Sequence, residues 1–174
     1  MSISNNIEER FNEQIQKEFF SEYLYISMEA YLKQMSLDGF ANYFHVQALE
    51  ERDHAMMFFN YVIETGGKVQ LRQIDKPKND FTSPMEVFQL SLDHEKFVTR
   101  SIHSLVGAAQ DEKDYTANTF LQWFITEQRE EESNMDRVLN KLKLVEGGGR
   151  GLLLLDAELA LRVYAPPVNA NMPG

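Results

Sequence analysis

The sequence predicts an all-α fold: a four-helix bundle with one long crossover connection and a short fifth C-terminal helix. Three observations carry that prediction. Apolar residues recur at intervals of seven in four long stretches, which lays each row along one face of a helix. Two of the breaks between stretches are short, so the helices on either side of them are antiparallel neighbours. The remaining break, Gly66 to Pro84, is long enough to run the length of the bundle.

The first helix is expected from about Ser4 to Met35, on the row Phe11, Glu18, Tyr25 and Leu32, with Asp38-Gly39 as the turn after it. The second runs from about Gly39 to Thr65. Two rows mark it: Phe44, Glu51 and Phe58, and Phe40, Gln47, His54 and Tyr61. Gly66-Gly67 stops it. The link that follows covers about 50 Å when extended at roughly 3.3 Å per residue. A helix of this size is about 40 Å long. The link therefore returns the chain to the starting end, and helices two and three are parallel. Ser83-Pro84-Met85-Glu86 opens the third helix, with Ser as N-cap, Pro at the first position and Glu three after the cap. Phe88, Glu95, Ile102 and Ala109 form its row, and a break falls at Asp111 to Asp114. The fourth helix spans about Tyr115 to Val145. Its rows are Leu121, Gln128, Met135 and Leu142, and Phe124, Glu131, Val138 and Val145. Residues 1–146 thus form the bundle. Residues 147–174 form a Gly-rich hinge, an apolar segment from Gly151 to Val163 and a tail. That segment is apolar almost all round and lies outside a completed bundle, so it is expected to pack against other subunits.

Composition narrows the function. The formal net charge of −10 argues against a nucleic-acid partner. It suits attraction of cations, and equally suits plain solubility. With no cysteine, disulfides and thiolate-held zinc or iron–sulfur clusters are excluded. Met1 to Arg10 is polar and reads as no secretory signal. No apolar run reaches the roughly 18 residues that span a bilayer. The expectation is a soluble cytoplasmic protein without a membrane partner.

Each apolar row is interrupted by polar groups: Glu18, then Glu51 with His54, then Glu95, then Gln128 with Glu131. Glu51 and His54 lie three apart and so share a helix face. The halves repeat at an offset of 77, which pairs Glu18 with Glu95, Glu50 with Glu127, and His54 with Glu131. Four carboxylates and a histidine are therefore expected midway along the core. Unpaired, each buried carboxylate costs several kcal/mol, and their repulsion adds to it. No Lys or Arg shares those rows. Two bound divalent cations would neutralise the cluster, with Glu51 able to ligate one through each oxygen. Iron, manganese and zinc all accept this donor set.

The arrangement resembles the non-haem ferritins of bacteria and archaea. The resemblance covers roughly Ile7 to Val145 and includes Phe120-Leu121-Gln122-Trp123-Phe124 and Thr126-Glu127-Gln128-Arg129-Glu130-Glu131. The fourth helix lacks a second Glu-x-x-His, and Arg52 stands where bacterioferritins carry a haem-ligating methionine. Both points favour a haem-free member.

The resemblance implies a first iron site at Glu18, Glu51 and His54. It implies a second at Glu51, Glu95, Gln128 and Glu131, with Gln128 either a ligand or a hydrogen-bonding neighbour. Glu50, Glu127, Glu130 and Glu131 are similar to a third iron site, and read equally as a solvated acidic face. Tyr25 resembles an electron donor beside the centre; a core tyrosine fits its position as well, and Trp123 reads the same way. His45, His94 and His103 read as surface or helix-packing residues, and Met28, Met35, Met56, Met57, Met85 and Met135 as core filler. The implied activity is oxidation of two Fe(II) ions per subunit by O2 or H2O2 (a ferroxidase). The Fe(III) is stored as mineral inside a homo-oligomeric shell of 24 subunits, with the fifth helix at the four-fold axes. A rubrerythrin-like di-iron oxidase or peroxidase without storage shares this donor set; the missing cysteines exclude a fused rubredoxin.

Overall fold

The computed structural model describes residues 3–145 and 148–167. Among them are five helices: α1 Asn5–Gln34, α2 Asp38–Glu64, α3 Pro84–Asp111, α4 Tyr115–Leu144 and α5 Gly149–Leu159. The starts are capped as their sequences dictate. Ser4 Oγ accepts from the Ile7 amide at 3.2 Å, Ser83 Oγ from Glu86 at 3.1 Å, and Asp114 Oδ1 from Ala117 at 2.9 Å. Each satisfies an amide that the first turn leaves without a partner.

The crossover, residues 65–83, runs along α1 from its first turns towards its end. Lys68 N bonds Glu8 Oε2 at 3.1 Å, and Gln70 N bonds Asn12 Oδ1 at 2.6 Å. Further along, Gln16 Nε2 donates to the Gln73 carbonyl, and Ser27 Oγ donates to that of Lys78 at 2.6 Å. Asn12 is itself buried, and its Nδ2 donates to the carbonyls of Glu8 and Lys68. These side chains satisfy backbone groups that a helix-free link would otherwise strand. The link delivers α3 at the end where α2 begins, so the two helices are parallel.

The core divides into two apolar clusters. One holds Leu24, Phe40, Phe44, Phe88, Leu92 and Met135; the other holds Phe11, Ile15, Phe58, Val98, Ile102 and Phe124. Every long helix changes cluster at its polar interruption: between Ile15 and Leu24, Ala48 and Met57, Leu92 and Val98, and Phe124 and Met135. The carboxylate layer therefore lies between two hydrophobic halves, walled off from solvent by both. No described helix is long and apolar enough to cross a membrane.

Three expectations change. Asp38 and Gly39 are the first residues of α2, and the turn before them is made by Ser36, whose φ is 58°. Gly39 serves a different need. A Cβ there would overlap the carbonyl oxygen of Asp156 on α5, so only glycine permits the approach. Second, α5 begins at Gly149, earlier than Gly151, and ends at Leu159, short of Val163. It docks on α2 with Leu155 and Leu159 buried, and Asp156 Oδ1 accepts from the Phe40 amide at 2.9 Å. Only part of its apolar surface faces outward: Leu153 is 62% and Leu154 66% exposed. Third, Met35 is 43% exposed and is not core filler. Met28, Met57 and Met135 are buried as expected. The hinge residue Gly147 and the tail beyond residue 167 lie outside the described residues.

Gly39→Ala should force α5 off α2. The expected cost is about 1–3 kcal/mol, seen as a lower melting temperature and faster amide exchange in α5. Unchanged exchange in α5 would contradict the close approach.

Candidate metal centre

Helical spacing places the site. Glu18 comes from the middle of α1, Glu51 and His54 from one face of α2, Glu95 from α3, and Gln128 and Glu131 from α4. All six are buried. Among the described residues, Glu18, Glu51 and His54 each bring a ligand atom within 4.8 Å of the others. His54 Nδ1 faces Glu51 Oε2 at 3.7 Å. The imidazole is held edge-on by Trp123 and Phe124, with ring centroids 5.4 and 5.8 Å away.

The four carboxylates are supported unequally. Glu95 is held at both oxygens: Tyr25 OH donates to Oε1, and Gln128 Nε2 to Oε2 at 3.0 Å. Glu131 Oε2 accepts from Gln47 Nε2 at 2.9 Å. Glu18 Oε1 accepts from Gln14 Nε2 at 2.7 Å. Neither oxygen of Glu51, nor Oε2 of Glu18, accepts from any other side chain or amide; the two carboxyls face each other, close enough for a proton on one to bridge to the other. Buried acceptors are rarely left so, and orphaned carboxylate oxygens facing an imidazole nitrogen fit a cation.

The Glu18 amide partner is fixed from outside. The Lys17 ammonium donates to Ser101 Oγ at 2.7 Å, and Ser101 donates to Gln14 Oε1 at 2.6 Å. An ammonium can only donate, so Ser101 must give its one proton to the Gln14 carbonyl. Gln14 therefore turns its NH2 towards Glu18. The chain occupies one oxygen of Glu18 and leaves the other, Oε2, free towards Glu51 and His54.

Electrostatics agree with the geometry. Burial, then the charges of Glu95, Glu18 and Glu131, push Glu51 well above the ordinary carboxylate range. Burial pushes Glu18 up, opposed by His54 and Gln14. Burial and Glu131 push Glu95 up to about 8. Tyr25 is pushed far up by burial and by the nearby Glu95 and Glu51, so it stays a protonated donor.

The sequence-predicted residues separate into three groups. Glu18, Glu51 and His54 converge. Glu95, Gln128 and Glu131 reach the same buried layer, but Glu95 and Glu131 are turned onto their hydrogen-bond donors and do not join the converged triad. Repulsion from Glu51 and the pull of those donors account for that. Gln128 donates to Glu95, the behaviour of a hydrogen-bonding neighbour. Of the remaining acidic set, Glu50 is paired with Arg162 at 2.5 Å, Glu127 is half-buried and Glu130 is exposed. His94 is a helix-packing residue bonded to Ser21 at 2.7 Å, and His103 is exposed. His45 lies 3.2 Å from Glu29. Sequence reasoning did not mark Gln14, Gln47 or Arg162 as site residues. Gln14 lies one turn before Glu18, and Gln47 shares the row of His54; that placement was the available signal.

Fold and site together define a class: four-helix bundles whose core is lined with carboxylates, the architecture in which di-metal sites are built. Comparison with known proteins narrows it. The family description of ferritin-like domains matches residues 8–145. The chain belongs to the ferritin family. A bacterial non-heme ferritin of Campylobacter jejuni is 38% identical over 154 residues, covering 88% of this chain and 92% of that one. One from Staphylococcus aureus is 38% identical over 162 residues, covering 93% and 98%. Among solved structures, the open-pore ferritin of the archaeon Archaeoglobus fulgidus superposes with a TM-score of 0.92 at 43% identity, covering 93% of this chain and all of that one. A humanized archaeal ferritin gives a TM-score of 0.94 at 44% identity, covering 95% of this chain and 100% of that one.

The raised carboxylates bear on stability. Groups whose folded pKa exceeds the unfolded value, near 4.5, favour the folded state at low pH. That advantage is lost as pH climbs from about 4.5 towards about 8, the Glu95 value. Glu18→Gln removes one charge and turns a donor towards the orphaned oxygens of Glu51. Metal-free Glu18→Gln should therefore exceed wild type at pH 7 by roughly 1–3 kcal/mol, with a shallower decline across that window. Added Zn(II) should reverse the order, because a ligand is gone. Thermal melts with and without Zn(II) decide it; a less stable metal-free variant at pH 7 contradicts the electrostatic account.

Proposed function

We propose that this protein stores iron, oxidising Fe(II) as it enters at the buried carboxylate layer and retaining the Fe(III) as mineral inside a shell of 24 subunits. One observation carries the reading: Glu18, Glu51 and His54 bring one ligand atom each together, with the carboxylates of that group left short of donors, in a layer that hydrophobic clusters wall off from water. Glu18, Glu51 and His54 take the first Fe(II). Glu51 lends its second oxygen to another Fe(II), which Glu95 and Glu131 complete by turning from Tyr25 and Gln47. Gln128 stays a hydrogen-bonding support for Glu95. Each Fe(II) gives up one electron. O2 accepts the pair with two protons to become H2O2, or H2O2 accepts it with two protons to become two waters.

Four side chains in this layer are acidic and none is a lysine or arginine, so the site binds cations in proportion to their charge and favours Fe(III) over Fe(II). That preference assists loss of the electron. Tyr25, which the resemblance implies as an electron donor, is here a protonated hydrogen-bond donor to Glu95. Haem is not part of the reading, since Arg52 occupies the position a ligating methionine would need. The names borne by the relatives, non-heme ferritins, support iron as the cargo.

The outward-facing residues of α5, Leu153 and Leu154, together with Leu161 and Val163, supply an apolar surface that the described residues leave exposed. In the proposed shell, neighbouring subunits cover it.

Two experiments test the reading. Glu51→Ala and His54→Ala should each slow initial Fe(II) oxidation on the order of 100-fold while leaving the helical circular-dichroism signal intact. A wild-type rate in Glu51→Ala would remove the oxidation site from this layer. Mass photometry should find a particle of 24 chains of 20.2 kDa each. Deleting 151–174 should leave a folded bundle whose particles leak mineral or fall to smaller oligomers. A wild-type particle far below that size would exclude the cage.

A further inference from the structure

Gln128 and Gln14 each turn an NH2 onto a carboxylate of the buried layer, and they are held in different ways. Gln128, on α4, donates through Nε2 to Glu95 Oε2 at 3.0 Å and to the Glu95 carbonyl at 3.3 Å. A backbone carbonyl only accepts, so the fold itself turns this NH2 towards Glu95. Thr99 adds little: its Oγ1 lies 3.4 Å from Gln128 Nε2, and its proton goes to Glu132 at 2.6 Å.

Gln14, on α1, is buried and is held by a side chain instead. Its Nε2 meets Glu18 Oε1 at 2.7 Å, and its Oε1 meets Ser101 Oγ, on α3, at 2.6 Å. A hydroxyl both donates and accepts, so Ser101 alone would suit either end of the amide. Lys17 decides between them. Its ammonium is 2.7 Å from Ser101 Oγ and only donates, which commits the hydroxyl proton to Gln14. The ammonium also lies 5.9 Å from the centre of the Phe97 ring. Lys17 and Ser101 line an open groove between α1 and α3, together with Arg10, Phe97 and Arg100. The chain of bonds therefore starts at the outer face of the bundle and ends on a carboxylate of the buried layer.

The direction of the Gln14 amide matters for Glu18. With the NH2 inward, Oε1 is held and Oε2 is presented to Glu51 and His54. With the carbonyl inward, two acceptors would face each other and Glu18 would be pushed out of that line.

We propose that Ser101 is a positioning residue for the cation held by Glu18, Glu51 and His54, acting through Gln14 in the direction that Lys17 sets. The cation on the Glu95 side has no such dependence, because a backbone carbonyl orients Gln128. The two halves of the layer thus differ: one is set by side chains reaching the outer face, the other by the fold. The inference rests on the proposed function for the identity and number of the cations.

Anaerobic Fe(II) calorimetry on the whole assembled protein tests it. Wild type should bind two ions per subunit in this layer. Ser101→Ala should weaken one of them roughly tenfold, the one that His54→Ala also weakens, and leave the other unchanged. Ser101→Thr keeps the hydroxyl and should restore wild-type affinity. Ser101→Cys, of similar shape and a feeble donor, should lose affinity in the same direction where alanine fails to assemble. Thr99→Val, the matching change on the Glu95 side, should leave both affinities as they are. Gln14→Met has no amide to turn, so Ser101→Ala should cost nothing further in that background. A packing role for Ser101 would cost the same in both backgrounds. Wild-type affinities in Ser101→Ala, beside a wild type that binds its pair, overturn the inference alone. So does an equal loss in the Gln14→Met background. A wild type that binds no pair would instead overturn the proposed function, and this inference with it.

Discussion

Burying four carboxylates at one level of a helical bundle is the constraint on which the rest of this structure depends. Each is costly alone, and together they repel. The bundle answers with directed donors: Tyr25 and Gln128 on Glu95, Gln47 on Glu131, and Gln14 on one oxygen of Glu18. Glu51 receives none. It sits between the other carboxylates with neither oxygen held by such a donor, and it is pushed further from ionisation than an ordinary carboxylate. The uneven support has a consequence for chemistry. Groups already bonded can turn away from their donors at modest cost, while Glu51 stands ready on two sides.

The remainder of the fold makes that layer tolerable. Apolar clusters above and below exclude water and keep the four helices in register. The crossover ties itself to α1 through Asn12, Gln16 and Ser27 and fixes α3 parallel to α2, which brings Glu95 opposite Glu18 and Glu51. At the end near the start of α2, α5 closes against Gly39 and Phe40, and the residues after it bring Arg162 onto Glu50. A glycine chosen for close approach and an arginine chosen for charge are linked by one short segment.

Much of this was legible in the sequence, and for a definite reason. Helical periodicity converts spacing into position, so Glu18, Glu51, His54, Glu95, Gln128 and Glu131 could be assigned to one layer, and the long link to a crossover, before any coordinate. What periodicity cannot convey is where a side chain turns once it arrives. Glu95 and Glu131 are aimed by partners on other helices. Gln14 is oriented by a chain that begins at Lys17 on its own helix and passes through Ser101 on α3. The roles of Gly39 and Arg162 depend on contacts with residues more than a hundred positions away in the chain, which no local pattern encodes. Glycine after aspartate usually makes a turn, but here Ser36 takes the left-handed conformation and Gly39 makes room for a neighbour.

The central claim is that Glu51 is shared between two metal ions, with Glu18 and His54 on one side and Glu95 and Glu131 on the other. Anomalous diffraction at the iron edge, from crystals soaked anaerobically with Fe(II), tests it most directly. Two peaks flanking the Glu51 carboxylate, with Glu95 and Glu131 rotated off Tyr25 and Gln47 towards the second, are the predicted result. A single peak at Glu18 and His54, with Glu95 still bonded to Tyr25 and Gln128, would contradict the shared role of Glu51.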